Sequence, residues 1–347
     1  MKKLVSLLVA TLCFALLLPV ALGQEVVNVY NWDDYINDEA IKLFEEETGI
    51  KVNYMCFTTN EDMMVQLRNS PGAFDVIVPS DYCVERMLAE DLIQPLNFDN
   101  MPNASKYLLP SLQNPAYDPT NAYSVPYMWG TVGILYNTQK VTEEINSWSV
   151  LYDEKYKGEV FMLDSIRDSM GVTLKYLGYS LNTRNPKEIA AATNLLIEQK
   201  KKGIVKAYQV DETKDKMVLG EAALAVMWSG DAQYAIALNE NLAYTVPKEG
   251  SNIWIDPFVV PTTATNKENA ERFIDFMCRP DIAKLNCEYI WYSSPNTGAI
   301  ELMGETYTNN STMNPSPQTI ESCEFFNDIQ DVITLYNTLW SQIKSAK

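Results

Sequence analysis

The order of apolar and polar positions predicts alternating strands and helices from residue 26 onward. Residues 26–32 form an apolar run typical of a buried strand, and residues 38–48 place Ile41 and Phe44 on one side of a helix that Gly49 would end. Residues 74–78 are apolar without a break, as in a buried parallel strand. The order β-α-β-α-β-α predicts a parallel sheet flanked by helices. The series is completed by a strand at 50–57 and helices at 60–68 and 81–90.

A second series with the same alternation follows after residue 150. No low-complexity linker separates the two series, so we expect two α/β lobes joined by crossover strands near residues 130–136 and 253–257, about which the lobes hinge. The expected lobes are residues 24–131 with 255–300, and residues 132–254 with 301–347. The second series consists of strands at 159–163, 222–228 and 257–260, and helices at 169–177, 186–202, 232–238, 267–277 and 328–345.

Residues 1–23 are predicted to be a cleaved secretory signal peptide. Two lysines precede an almost wholly apolar stretch at 4–18, and Ala21-Leu22-Gly23 is a small-x-small cleavage pattern. A membrane-spanning anchor is the weaker interpretation, because the apolar run is short and no basic stop-transfer patch follows. Lipid anchoring at Cys13 is also disfavoured, because Leu12 stands where a lipoprotein signal has a small residue. We therefore expect an exported protein.

The net charge and the amino-acid composition exclude one class of partner and several kinds of catalytic site. Removing the signal removes two of the 27 basic residues and none of the 45 acidic ones, so the mature chain has a net charge of 25 − 45 = −20. Such a charge argues against nucleic acid as a partner. The chain has no histidine, which excludes Ser-His-Asp triads, Cys-His dyads and H-E-x-x-H zinc sites. No catalytic residue, cofactor or metal site is predicted.

The cysteines of the mature chain do not suggest a metal or redox motif. Their number is odd and no C-x-x-C occurs. One or two disulfides are compatible with an oxidising compartment, and the nearest couple, Cys278 and Cys287, is the candidate pair. The five residues are Cys56, Cys83, Cys278, Cys287 and Cys323.

Aspartate beside aromatic residues recurs just after predicted strands. The stretches are "YNWDDYI" at 30–36, "VPSDYC" at 78–83, "MWSGDAQY" at 227–234 and "IWIDPF" at 253–258, and "YIWYSSPN" at 289–296 adds Trp291 and Tyr292. In three of these stretches the cluster falls just after a predicted strand. In open α/β sheets the ligand crevice lies beyond the carboxyl ends of the strands. Carboxylates accept hydrogen bonds from ammonium groups, and aromatic faces hold cations and alkyl chains. The pattern therefore favours a ligand with an apolar stem and positive ends.

Two alternatives remain open at this level. A sugar would also stack on tryptophan and bond to aspartate. Taken singly, each ring is more often part of a core, and Asp33 or Asp81 is more often a helix cap, since each directly precedes a helical pattern. The recurrence at separate strand ends is what these simpler interpretations do not explain.

The mature chain resembles the periplasmic substrate-binding proteins of bacterial polyamine ABC transporters, which take up spermidine and putrescine. The resemblance covers essentially the whole mature chain, and the matching segments occur in the same order as in the family. It implies a two-lobed α/β fold and a monomer that closes on a polyamine and delivers it to permease subunits in the inner membrane. The segments include "ETGIKV", "FDVIVPS", "YSVPYMWGT", "NPKEI", "MWSGDA", "VPKEG" and "RPDIAK".

The resemblance also implies which residues bind the ligand. Asp168 falls where the family has a glutamate, whereas Ser165 and Phe326 replace an aspartate and a glutamine of the spermidine-preferring members. Asp34 and Asp231 match acids of the putrescine-preferring members, so the choice between diamine and triamine stays open. With Asp33 from the first stretch, the expected ligand-binding residues are Trp32, Asp33, Asp34, Tyr35, Ser80, Tyr82, Asp168, Trp228, Asp231, Trp254, Asp256 and Tyr292.

The expected function is therefore binding and delivery of putrescine or spermidine, without covalent chemistry. A solute-binding protein for another cargo, such as a sugar, is one alternative. A carbohydrate-active enzyme with paired aspartates is the other, although nothing in the sequence singles out the two carboxylates that such an enzyme needs.

Overall fold

The computed structural model describes residues 24–346, so the predicted signal peptide lies outside the described residues. The amino-terminal part forms the expected β-α-β-α-β-α series, in which β1 pairs in parallel with β2 and β3. Its elements are β1 (Val26–Trp32), α1 (Asp38–Thr48), β2 (Lys51–Phe57), α2 (Asn60–Asn69), β3 (Val76–Ile77), α3 (Asp81–Ala89) and α4 (Pro102–Tyr107).

The remaining strands and helices continue the alternation. They are β4 (Ser124–Asn137), β5 (Val160–Leu163), α5 (Ile166–Tyr176), α6 (Pro186–Lys201), β6 (Val205–Gln209), α7 (Glu212–Val218), β7 (Leu224–Trp228), α8 (Ser229–Leu238), β8 (Leu242–Thr245), β9 (Ile253–Val259), α9 (Lys267–Met277), α10 (Pro280–Ile290), α11 (Thr297–Met303), α12 (Glu305–Thr308), α13 (Pro317–Ser322) and α14 (Ile333–Ser345). The last helix therefore begins at Ile333 and not at residue 328.

Local capping explains why α1 lies where the sequence predicts it. The side chain of Asn37 accepts a hydrogen bond from the Glu39 amide, which satisfies one of the free N–H groups of the first turn. Gly49 ends the helix with φ at 73°, a left-handed conformation that glycine adopts without steric cost. Ala40 and Phe44 then lie on the buried side of the helix. This helix holds the turn at residues 33–37, which follows β1, against the lobe core.

β4 joins the two halves of the sheet. Residues 124–131 of β4 pair antiparallel with β9, and residues 132–136 pair antiparallel with β7. The nine strands follow the order β2-β1-β3-β9-β4-β7-β5-β6, with β8 paired to β4. Each half is mainly parallel, and strands that run antiparallel to the rest lie at the junction.

Two large apolar cores lie on either side of this junction. One surrounds Phe44 and Phe258, and the other surrounds Trp148 and Val226. The rings of Trp228 pack against both cores. The expected two-lobed α/β fold is confirmed.

The expected disulfide between Cys278 and Cys287 is wrong. All five cysteines of the described chain are free thiols. Cys278 follows the end of α9 and packs in the first core, whereas Cys287 lies on α10 beside Tyr307 and Met313. The Cys287 thiol donates a hydrogen bond to the Tyr292 carbonyl at 3.1 Å. The two side chains are therefore held in different clusters.

Candidate functional site

Asp256 lies at the centre of β9, close to where the two halves of the sheet meet. The Tyr35 hydroxyl donates a hydrogen bond to Asp256 Oδ2 at 2.8 Å, and the Tyr127 hydroxyl donates to the Tyr35 carbonyl at 2.8 Å. Asp256 is 9% exposed. Burial raises the pKa of its carboxyl to about 7, although the hydroxyls of Tyr35 and Ser80 act in the opposite direction. A buried carboxylate with only hydroxyl donors is a strong potential acceptor for a cation.

Aromatic rings border the same carboxylate. Trp254 precedes Asp256 by two residues on β9, and alternation along a strand places both side chains on one face. The Trp254 and Tyr292 rings meet edge to face with centroids 4.9 Å apart. The Tyr292 and Tyr35 rings meet in the same way at 5.9 Å. Three rings thus border the acid, an arrangement that suits an ammonium group and its methylene stem.

Tyr292 links this aromatic group to α8. Its hydroxyl donates to Asp231 Oδ2 at 3.3 Å, and Lys214 Nζ lies 3.4 Å from Asp231 Oδ1. Burial raises the pKa of the Asp231 carboxyl, whereas Lys214 lowers it. A Cβ at Gly230 would lie 1.7 Å from Cδ1 of Tyr292, so a side chain at position 230 would exclude the tyrosine ring from this position.

Asp81 is a second deeply buried carboxylate. It begins α3 and is 1% exposed. Its Oδ1 accepts a hydrogen bond from the Tyr82 amide at 2.7 Å, whereas Oδ2 has no partner within residues 24–346. Burial and the charge of Asp256 hold the pKa of Asp81 well above its usual range. The neighbouring Ser80 and Tyr82 hydroxyls both accept from the Asn60 side-chain amide, at 3.2 and 2.9 Å.

Asp168 lies in the first turn of α5, in the other half of the molecule. The Ser165 hydroxyl donates to Asp168 Oδ2 at 2.6 Å, and Oδ1 is buried without a partner among the described residues. Burial raises the pKa of Asp168 to about 6, against the opposing effects of Ser165 and Arg167. The Arg167 guanidinium lies 4.2 Å from the centroid of the Phe326 ring and donates to the Asn327 carbonyl at 3.1 Å.

Two predicted residues lie apart from this buried group. Asp33 and Asp34 are exposed on the turn after β1. Asp34 has φ at 51° and its Oδ1 accepts from the Tyr289 hydroxyl at 3.5 Å. Trp32 and Trp228 are partly buried, and the Trp32 ring packs on Phe57 at 4.4 Å.

The sequence did not predict several other residues of this buried group. Asp81 lies in the "VPSDYC" stretch, with a helix cap as its simpler interpretation, but it is not among the expected ligand-binding residues. Arg167, Lys214 and Tyr127 gave no signal, because their importance depends on partners far away along the chain.

The unsatisfied polar atoms indicate what the site can bind. Asp81 Oδ2 and Asp168 Oδ1 are buried acceptors without a donor in the described chain. The indole N–H groups of Trp32 and Trp254 are buried donors without an acceptor there, and an ammonium group cannot satisfy them. Within residues 24–346, no group of three or more acidic or cysteine side chains is arranged to hold a metal ion.

Comparison with known proteins gives a consistent family. The sequence profile of the bacterial extracellular solute-binding proteins matches residues 39–315. The spermidine/putrescine-binding periplasmic protein of Escherichia coli K12 is 36% identical over 320 residues, covering 92% of this chain and 91% of that protein. The putrescine-binding periplasmic protein PotF of E. coli K12 is 31% identical over 369 residues, covering 100% of this chain and 99% of that protein.

Solved structures agree with the sequence relatives. A putative spermidine/putrescine ABC transporter protein from Listeria monocytogenes superimposes with a TM-score of 0.85 and 38% identity, covering 93% of this chain and 100% of that one. The spermidine/putrescine substrate-binding protein PotD of Streptococcus pneumoniae, solved with calcium and HEPES, superimposes with a TM-score of 0.84 and is 36% identical in sequence. The match covers 92% of this chain and 98% of that one. No helix within the described part of the chain is long and apolar enough to cross a membrane.

Proposed function

This chain belongs to the bacterial extracellular solute-binding proteins, and from that premise we propose that it binds a polyamine, putrescine or spermidine, between its lobes and delivers it to an ABC transporter permease for uptake. The observation that carries the proposal is the buried Asp256 carboxylate bordered by Tyr35, Trp254 and Tyr292. Relatives that cover almost the whole chain are named for the same ligands.

The chemistry of the site selects a cation over a neutral solute. A buried acid whose pKa is raised regains its charge when an ammonium group arrives, because the cation replaces lost hydration with a charge-assisted hydrogen bond. Each aromatic face adds about 0.5–2 kcal/mol of cation–π attraction. A sugar would satisfy the indole N–H groups but would leave Asp256, Asp81 and Asp168 without a counter-charge.

Transport without covalent chemistry is the role that we propose. The family and its relatives are solute-binding proteins, and the alternative of a glycosidase with paired aspartates has no support from them. We further propose a monomer that is exported to the periplasm after cleavage of residues 1–23 and that docks on permease subunits of the inner membrane.

We propose that the lobes meet at the crossovers predicted from the sequence, 131/132 and 254/255. In support, β4 changes its pairing partner from β9 to β7 at residue 132. For the third crossover we propose residues 323–329 in place of 300/301. Tyr307 and Met313 still pack on Cys287, whereas Ile329 already belongs to the second core.

Ligand identification combined with a test of closure would decide the proposal. Mass spectrometry of the protein, purified gently and then unfolded, should reveal a co-purified diamine or triamine. Putrescine or spermidine should reduce the radius of gyration in small-angle scattering and raise the melting temperature, because it binds the closed, folded state. Glucose and maltose should change neither quantity. If no polyamine compacts or stabilises the protein at millimolar concentration, the proposal is wrong.

A further inference from the structure

Lys214, whose side chain is 33% exposed, places a positive charge at the edge of this group of acids. Its ammonium lies 3.4 Å from Asp231 Oδ1 and 5.5 Å from the centroid of the Tyr234 ring, while the Tyr292 hydroxyl bonds the other oxygen of Asp231. The lysine thus has the surroundings expected for a ligand ammonium, with a carboxylate on one side and an aromatic ring on the other. Lys214 and Asp231 lie on α7 and α8 of the same lobe, so this contact does not depend on lobe closure.

Arg167 places a second fixed charge at the opposite end. Stacking on Phe326 and hydrogen bonds to the Asn327 carbonyl and the Asn182 side chain hold its guanidinium in position. Asp168 and Asp81 are the carboxylates with which its charge interacts. Phe326 stands where the sequence resemblance implies a glutamine, so a stacking ring has replaced a polar side chain here.

The charges of the buried group balance with a dication. The group holds four carboxylates and two cations, Lys214 and Arg167, so with all groups ionised its net charge is 2 − 4 = −2. A linear diamine with two ammonium groups neutralises this charge. A triamine leaves one positive charge in excess, and an unpaired charge away from water is strongly disfavoured. The four carboxylates are Asp81, Asp168 and Asp256, which are buried, and Asp231, which is partly exposed.

We propose that Lys214 is a specificity-determining residue, because its ammonium already occupies at Asp231 a position that a ligand ammonium would otherwise take, so that fewer carboxylates are left for the ligand and the cleft prefers a linear diamine to a triamine. This inference rests on the proposed function and adds to it the class of polyamine. Arg167 supports the preference from the other end, since its stacked guanidinium cannot move aside as freely as a lysine.

Lys214→Met tests this role, with Lys216→Met as the matched control. Lys216 lies on the same helix and its removal changes the net charge equally, but its ammonium lies 5.9 Å from the Phe161 ring, away from the buried acids. Putrescine and spermidine would be titrated by calorimetry against the full mature protein at one ionic strength. The measured quantity is the ratio of the two dissociation constants, which cancels losses common to both ligands.

We expect the parent to bind putrescine at least about tenfold more tightly than spermidine, which corresponds to ~1.4 kcal/mol. Lys214→Met should shift the ratio towards spermidine by about tenfold, while Lys216→Met leaves it within about twofold and Lys214→Arg retains the diamine preference. A parent that prefers spermidine, or a Lys214→Met ratio equal to that of the parent, overturns the inference and leaves polyamine binding standing. A parent that binds neither amine overturns the proposed function as well.

Discussion

Replacing Asp256 by asparagine isolates the charge on which the proposed polyamine binding depends. Asparagine has nearly the same shape, and its amide oxygen can still accept the Tyr35 hydroxyl that now bonds Asp256 Oδ2 at 2.8 Å. The substitution therefore removes the negative charge and leaves the contacts of the β9 strand intact. Because the residue is 9% exposed, solvent screens its interaction with a bound ammonium only weakly.

The magnitude follows from leaving a desolvated ammonium group without its counter-charge. Truncating one partner of a buried, hydrogen-bonded charge pair costs about 2–5 kcal/mol, and the lower part of that range applies because the asparagine oxygen still accepts a hydrogen bond. We therefore expect putrescine to bind about 30- to 1,000-fold more weakly to Asp256→Asn, which corresponds to ~2–4 kcal/mol. The melting temperature of the protein without ligand should not fall, since the variant no longer buries an ionisable carboxyl.

Isothermal titration calorimetry with putrescine provides the assay, and Asp38→Asn provides the control. Asp38 is exposed in the first turn of α1, so its substitution changes the net charge equally and leaves the buried group unaltered. The control should bind within about twofold of the parent at 0.15 M salt, where exposed charges are screened. A loss smaller than about threefold for Asp256→Asn, or an equal loss for both variants, would refute the reasoning, because removing one partner of a buried, hydrogen-bonded ion pair costs more than that.

Two further predictions concern the aromatic ring of Trp254 and the protonation of Asp256. Trp254→Leu keeps an apolar side chain at the ring position but removes the aromatic face, so diamine affinity should fall about three- to thirtyfold in calorimetry, and an unchanged affinity would make Trp254 a core residue only. The folded pKa of Asp256 is raised from 3.8 to about 7, so its contribution to the stability of the empty protein is fully present below pH 3.8 and is lost as pH rises from there through about 7. Polyamine binding needs the ionised form, so affinity should rise by about tenfold or more between pH 5.5 and 7.5, and Asp256→Asn should flatten this rise; a flat profile in the parent would contradict the assignment.

Helices whose capping residues lie beside them in the sequence could be predicted from the local sequence alone. The helix at 38–48 is confirmed to the residue, because Asn37 and Gly49 mark its two ends. The strand expected at 74–78 is confirmed only as Val76–Ile77, with flanking amides that still bond to β1. Such boundaries depend on tertiary pairing, which an apolar run alone does not specify.

The long strand β4 shows why the extent of a strand could not be predicted from the local sequence. Its fourteen residues are almost all buried, and they include Pro126, Gly130 and Gly133, which are ordinarily signs of a strand end. The structure explains each one: the register shifts between Pro126 and Met128, and a Cβ at Gly130 would lie 2.6 Å from Cζ2 of Trp254. A Cβ at Gly133 would meet the Tyr244 ring at 2.5 Å. These residues are selected by neighbours that the local sequence does not contain.

The candidate site was predictable in composition but not in geometry, for the same reason. Tyr35 and Asp256 form one hydrogen bond across 221 positions of the chain, and Lys214 reaches Asp231 across 17. Aspartate next to an aromatic residue can be recognised in a sequence, but whether it is buried depends on the fold. Asp33 and Asp34 carry the same local pattern as Asp256 and lie in solvent.

Burial of these acids also explains how binding can be coupled to lobe closure. By the proposed lobe boundaries, Asp231 belongs to the lobe of α8 and Tyr292 to the other lobe, so we expect their hydrogen bond to form only when the lobes approach. In the proposed closure the approach desolvates Asp256, which raises the pKa of its carboxyl and is unfavourable while it is charged. A bound diamine supplies counter-charges inside the closed cleft, so that burial of the charged carboxylate becomes favourable. Because a ligand shifts a conformational equilibrium only through its differential affinity for the two states, the acids that oppose closure of the empty protein are the groups through which the amine drives it.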